Sequence, residues 1–303
     1  MTTDKYEYDP QYVSRFYDDY GEREWQRFEQ EAGPANLASL HLHTHYLRRF
    51  VRPGDHVLDI GAGPGRFTVE MARIGARVTV GDISPVQIEM NRQKVEEAGF
   101  EGAIVARQVM DVTNLSALPS ATYDAAVCYG GALSYLFGRA GYALEELLRV
   151  TKPGGYVLLS VMSLLGGTRA FLPGVLELTG RVGLDVAYHV NSTGNLDGVV
   201  AGGHKAHMYR WSELESLLLS HHCEIVAASA SNFLTLQHPE AVQQAMSDPQ
   251  TWQALLDWEL DFCKEPGARD GGTNIIAVVR RETPPDSQIS NLEFRIQNLE
   301  FRI

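Results

Sequence analysis

Two periodicities of apolar and polar positions alternate along this chain. Short runs of branched or small apolar residues recur at Val57–Ile60, Arg77–Val80, Ile104–Val109, Asp124–Cys128, Tyr156–Val161, Glu224–Ala228 and Asn274–Val279. Runs of this length and composition suit strands buried on both faces of a sheet. Between them the apolar spacing lengthens to that of a helix. Arg66–Ile74 is closed by Gly75, Leu144–Val150 leads into Lys152-Pro153-Gly154-Gly155, and Trp211, Leu214, Leu217 and Leu218 share one helical face. Another helix opens on Ser84 as N-cap, with Pro85 at its first position and Gln87 placed to complete a capping box, and Gly99 ends it. Strands alternating with helices predict an α/β fold, a doubly wound and mostly parallel sheet, with Asn274–Val279 hairpinning back as its last strand.

Three segments depart from this alternation. Residues 1–50 read as helical and aromatic, with Tyr6, Tyr8, Tyr12, Phe16, Tyr17, Tyr20, Trp25 and Phe28 set among acids, and are expected to form an N-terminal lid segment. The domain proper is expected over residues 51–282, with insertions at 164–210 and 238–264. Gly166, Gly167, Gly174, Gly180 and Gly183 suggest that the first insertion is irregular around one short helix, and long insertions of this kind usually serve as lids or binding loops. The second holds Trp252, Leu255, Leu256, Trp258 and Phe262 on a helix expected to cap the core. Beyond Pro284-Pro285 the hexapeptide Asn-Leu-Glu-Phe-Arg-Ile occurs twice, at 291–296 and 298–303, and residues 283–303 read as an appended disordered tail.

The chemistry centres on His56–Phe67, His-Val-Leu-Asp-Ile-Gly-Ala-Gly-Pro-Gly-Arg-Phe. Gly61, Gly63 and Gly65 allow a sharp turn and close ligand approach, and the helix that follows offers unpaired N–H groups at its positive end. A dinucleotide turn needs a third glycine where Arg66 stands, and here the spacing is G-x-G-x-G after Asp59. Asp82, 21 residues after Gly61, ends the second strand where an acid can accept hydrogen bonds from both hydroxyls of a ribose. This stretch, the acid at 82 and Leu147-x-x-Val150-x-Lys152-Pro153-Gly154-Gly155 together resemble the Rossmann-like S-adenosylmethionine (SAM) dependent methyltransferases. The resemblance implies a seven-stranded sheet in the order 3-2-1-4-5-7-6 and SAM as cofactor. It implies cofactor contacts from Asp59, Gly61, Ala62, Gly63, Gly65, Asp82, Ile83, Met110, Asp111, Val112 and Tyr129, with Tyr17 or Tyr20 reaching in from the lid. Within that set Met110 would pack on the adenine and Asp111 would accept from its amino group. The loop Tyr129-Gly130-Gly131, where the methyl group meets its acceptor, lacks the Asn/Asp-Pro-Pro-Tyr/Phe signature of enzymes acting on base amines or glutamine.

Charge narrows the acceptor. A net charge of −12 opposes a phosphate backbone, so nucleic acid is not expected as partner, and Arg48, Arg49 and Arg52 read as a solvated helix end. The longest apolar run, Tyr156–Leu165, is too short for a bilayer. The acidic N-terminus and three scattered cysteines suggest a cytoplasmic protein. His41-Leu42-His43-Thr44-His45 resembles a metal box, yet His41 and His45 share a helical face without His43, so no metal is expected and the run reads as structural or solvent-facing. The favoured function is methyl transfer to a small-molecule substrate. The alternatives are a protein or RNA acceptor, or a non-catalytic SAM- or NAD-binding protein. His204 and His207, near the end of the first insertion, are the candidate catalytic bases. If Arg66 and Asp59 report the cofactor correctly, calorimetry should show S-adenosylhomocysteine (SAH) binding more tightly than NAD, and the reverse order would refute the assignment.

Overall fold

The computed structural model describes residues 6–29, 32–198 and 203–283. The repeat at 291–303, and all of the tail beyond Thr283, lies outside the described residues. The N-terminal segment forms α1 (Pro10–Tyr20), α2 (Arg23–Gln26) and α3 (Pro34–Phe50). The alternating core follows as β1 (His56–Ile60), α4 (Arg66–Ile74), β2 (Arg77–Asp82), α5 (Pro85–Glu97), β3 (Ile104–Val109), β4 (Tyr123–Cys128), α6 (Ala140–Val150) and β5 (Thr151–Met162). Next come α7 (Leu164–Ala170), α8 (Leu172–Val182), α9 (Leu184–Thr193), a hairpin of β6 (Asn195–Asp197) and β7 (Lys205–His207), and α10 (Trp211–Leu219). The chain continues through β8 (Cys223–Ala230), α11 (Pro239–Met246), α12 (Pro249–Cys263) and β9 (Asn274–Arg281).

Seven strands form one sheet in the order β3-β2-β1-β4-β5-β9-β8. With the separate β6–β7 hairpin left out of the count, this is the expected order 3-2-1-4-5-7-6. Strands β1 to β5 pair in parallel, and β9 runs antiparallel between β5 and β8. Because successive side chains leave a strand on opposite faces, β1 sends Leu58 and Ile60 to one layer and Val57 to the other. The first layer joins Leu144 and Leu147 of α6 and Leu214 and Leu218 of α10. The second joins Leu42, Tyr46 and Leu47 of α3 and Met71 of α4. Both faces of the sheet are therefore covered by helices, which leaves the strand ends as the places open to a ligand.

Three expectations change. The first insertion is mostly helical, because its glycines sit inside α7 and α8. Gly166 is needed there, since a Cβ would collide with the carbonyl of Gly272. The second insertion is two helices, and α12 buries Leu256, Glu259 and Cys263 while Trp258 and Phe262 remain exposed. The capping box of α5 is half made: Ser84 accepts from the Gln87 amide, but the Gln87 side chain turns away and donates to the carbonyls of Tyr17 and Gly21. Among the described residues no helix is long and apolar enough to cross a membrane, and no cluster of three or more metal-ligating side chains occurs.

Glu259 is the least expected core residue. Its fully buried carboxylate accepts from the amides of Phe233, Leu234 and Thr235 and from the Thr235 hydroxyl, all within 3.1 Å. This holds the loop after β8 against α12. Replacing Glu259 with Ala strands these donors, and urea unfolding should show a loss of ~3 kcal/mol or more.

Candidate functional site

The turn after β1 is built by its glycines. Gly61, Gly63 and Gly65 have φ of 68°, 53° and 97°, where an L side chain is strained. A Cβ on Gly61 would stand 2.8 Å from that of Ala132. The amides of Gly61 and Ala62 donate to the carbonyl of Gly81 at 2.8 and 3.2 Å, and the amide of Gly63 donates to the Asp82 carboxylate at 2.8 Å. The other carboxylate oxygen of Asp82 accepts from the amide of Ser84 at 2.9 Å. Beneath the turn, buried Asp59 accepts from Thr68 Oγ1, which accepts in turn from Asn91 Nδ2.

Above the turn lies a cavity at the carboxyl ends of the strands. Gly61, Ala62, Gly63, Asp82 and Ile83 form its floor. Met110 and Val112 wall one end, and Tyr129, Gly130, Ala132 and Tyr135 the other. The N-terminal segment closes the near side with Tyr8, Val13, Tyr17, Glu24 and Phe28. Four hydrogen bonds tie α1 and the residue after it to the turn between β2 and α5. Ser14 Oγ donates to the Ile83 carbonyl, Ser84 Oγ donates to Asp18, and Gln87 makes the two already described.

Of the residues singled out in the sequence, Gly61, Ala62, Gly63, Asp82, Ile83, Met110, Val112, Tyr129 and Tyr17 meet in this cavity. Asp59 and Gly65 lie behind the turn that forms its floor. Asp111 turns aside to accept from the amide and hydroxyl of Thr113, and Tyr20 stacks on Phe16 outside the lining. His204 stands one residue back, with Nδ1 2.8 Å from the hydroxyl of Tyr135. His207 lines a different cavity, where its two ring nitrogens meet Asn195 and Glu213 at 2.7 Å each. Tyr8, Glu24, Arg66 and Tyr135 were not anticipated. Only Arg66 carried a sequence signal, its place directly after the last glycine.

Burial dominates the electrostatics. It pushes the Asp82 carboxyl up to about 6, against the opposing pull of the Ser84 and Gly63 amides. It pushes Asp59 up to about 7, against the Thr68 hydroxyl. Arg66 lies flat over Trp25, 3.7 Å from the ring centroid, and pairs with Glu29 at 2.7 Å. The cavity thus offers a glycine cradle, an acid for paired hydroxyls, and an apolar slot between Ile83, Met110 and Val112.

Comparison with known proteins identifies that combination. Residues 57–155 match the family described as a methyltransferase domain. That match covers about a third of the chain, the segment that carries the glycine turn and Asp82. Over 102 residues it is 34% identical to the SAM-dependent Diels-Alderase iccD of Talaromyces variabilis, which covers 34% of either chain. Over 111 residues it is 31% identical to the malonyl-[acyl-carrier protein] O-methyltransferase of Serratia marcescens, covering 37% of this chain and 40% of that protein. The match therefore spans less than half the length of these curated relatives. Among solved structures, the [4+2]-cyclase SpnF shares the fold with a TM-score of 0.57 at 19% identity, over 91% of this chain and 97% of that one. Magnesium protoporphyrin IX methyltransferase from Synechocystis, with SAH bound, also gives 0.57, at 15% identity, over 90% and 100%.

The cofactor of a SAM-dependent methyltransferase fits the lining: an adenine for the apolar slot, a ribose diol for Asp82 and a flexible charged end for the glycine cradle. Asp82→Ala should weaken SAH binding by ~1–3 kcal/mol, roughly tenfold to over a hundredfold, by calorimetry. The Asp82 carboxyl accepts best as an anion, and burial holds its ordinary ionisation back to about 6. As pH falls below that value the free protein gains a proton that binding must expel, so SAH affinity should fall by up to about tenfold per pH unit. Asp82→Asn should bind weakly and lose this component of the pH dependence.

Proposed function

We propose that this protein transfers a methyl group from SAM to a small molecule, with residues 51–282 as the catalytic domain and residues 1–50 as its lid. The observation that carries this is the closure of the cavity by aromatic side chains of the N-terminal segment, Tyr8, Tyr17 and Phe28. An enclosed aromatic wall suits a compact acceptor better than a polypeptide or RNA strand, and the net charge of −12 disfavours RNA further. A cytoplasmic setting agrees with three buried cysteines, none in a disulfide.

SAM brings a methyl group already activated for displacement, so the protein's part is to align the acceptor with it and to exclude water. Where the acceptor has a proton to lose, His204 is better connected than His207. Burial and the nearby charge of Arg27 lower its basicity, which keeps the ring neutral and able to accept. Tyr135 links it to the cavity, and the Tyr17 hydroxyl bonds to Tyr135 in turn. His207 has both ring nitrogens engaged.

A second reading is a ring-forming reaction that uses bound SAM without consuming it, favoured by the similarity to the SAM-dependent Diels-Alderase of Talaromyces variabilis. Incubating the protein with methyl-tritiated SAM and a fractionated extract separates the readings. Label should enter the small-molecule fraction as SAH is released. Label in protein or RNA would move the acceptor to those classes, and no transfer with intact SAM would favour the second reading. With the labelled acceptor in hand, His204→Ala should lower turnover at least tenfold near neutral pH, and His207→Ala should leave it within twofold.

A further inference from the structure

Of the three histidines at 41–45, only His43 is buried, at 4% exposure in the middle of α3. Its Nδ1 lies 2.7 Å from the carbonyl oxygen of Ser39. A carbonyl only accepts, so Nδ1 carries the proton, and Nε2 of the neutral ring is left as a bare acceptor. Nε2 is buried and has no hydrogen-bond partner among the described residues. Its lone pair can be satisfied only by a donor from outside the described structure.

A second, smaller cavity reaches this ring. It adjoins the first and shares Phe28, Phe67 and Gly130 with it. The rest of its wall is mostly polar: Arg27, Asn36, Ser39, His43, Thr273 and Asn274. No side-chain hydrogen bond engages the carboxamides of Asn36 and Asn274 among the described residues. Gly130 lies two residues past the end of β4, and Asn274 opens β9, so the cavity borders the loop at which an acceptor would meet the cofactor. Two ring contacts fix the imidazole, an edge-to-face one with Tyr129 at 4.7 Å between centroids and a tilted one with Phe67 at 5.2 Å, both rings lying in the wall of the first cavity.

We propose that this second cavity is the acceptor subsite and that it takes a compact, uncharged molecule whose hydroxyl group donates a hydrogen bond to Nε2 of His43. The proposal rests on reading the first cavity as the cofactor site. The cavity is small, so it takes the hydroxyl-bearing end of the acceptor, and the rest of that molecule extends past Phe28, Phe67 and Gly130 toward the first cavity. An anion is disfavoured, because the guanidinium of Arg27 is already paired with Glu24 at 2.6 Å. An ether lacks the donor, so the site prefers a free hydroxyl, which anchors the acceptor while another of its atoms meets the methyl group and, where that atom has a proton to lose, His204 takes it. Desolvation lowers the His43 ring to about 4, so it remains neutral and orients the hydroxyl without storing its proton.

Phenol and anisole serve as probes: anisole lacks the donor and adds one methyl group, and His43→Phe, which removes the acceptor nitrogen and keeps the ring, separates the effect of the donor from that of size. The full chain, labelled with nitrogen-15 in histidine and saturated with SAH, is titrated with each, the His43 signals being assigned by their loss in His43→Phe. Phenol is expected to move the Nε2 resonance toward the position of a hydrogen-bonded nitrogen and to bind at least tenfold more tightly than anisole. His43→Phe should abolish that preference while SAH affinity is unchanged, and Asn274→Ala should weaken phenol alone if the His43 variant does not fold. An Nε2 resonance unmoved by phenol, or moved equally by anisole, overturns the proposal. Failure of SAH itself to bind would instead overturn the cofactor reading beneath it.

Discussion

The hydrogen bond from the Gly63 amide to the Asp82 carboxylate, 2.8 Å long, joins the two turns on which the site depends. One turn follows β1 and has the left-handed glycines; the other follows β2 and leads into α5 through Ser84. With its remaining oxygen on the Ser84 amide, one buried carboxylate spans both. Such an arrangement restrains the glycines, whose freedom in the unfolded chain is otherwise expensive to remove. It also explains why the acid tolerates its burial: the two backbone amides replace part of the water it has lost.

The helical layers supply the rest of the constraint. With Leu58 and Ile60 committed to one face of the sheet and Val57 to the other, β1 cannot slip by one residue without reversing every contact. That register delivers Ile60 and Gly61 to the cavity floor. Asp59, on the same strand, is spent internally on Thr68, where it braces the start of α4. Neighbouring residues of one motif thus do different work, one lining the cavity and one supporting it.

The sequence was legible where local geometry decides the outcome. Glycine spacing, the acid at 82, the Ser84 cap and the strand runs depend on near neighbours, and they were found where expected. Residues whose roles come from distant contacts were not. Tyr135 reads as one aromatic among many until the β6–β7 hairpin brings His204 to its hydroxyl. His43 belongs to a run that looks structural, and only the packing of α3 beneath Phe67 and Tyr129 sets it apart. Gly166 looked like a break because the backbone it approaches, at Gly272, is more than a hundred residues away. Gln87 satisfied the local capping rule but was drawn to the N-terminal segment instead.

That last diversion gives the molecule a clock. The four bonds from the β2–α5 turn to α1 and Gly21 are each worth ~0.5–1.5 kcal/mol net, so together they hold the near wall shut by a few kcal/mol. Val13 and Tyr17 pack against Tyr135 on the same side, so apolar contact adds to these bonds. Elements held in this way move over microseconds to milliseconds, which sets the shortest interval on which the cavity exchanges its contents on that side. The residue at the end of α1, Gly21, has φ 54° and ψ −131°, a conformation few other residues adopt, and its carbonyl takes one of the four bonds, so glycine at this corner is what turns the chain back onto α5.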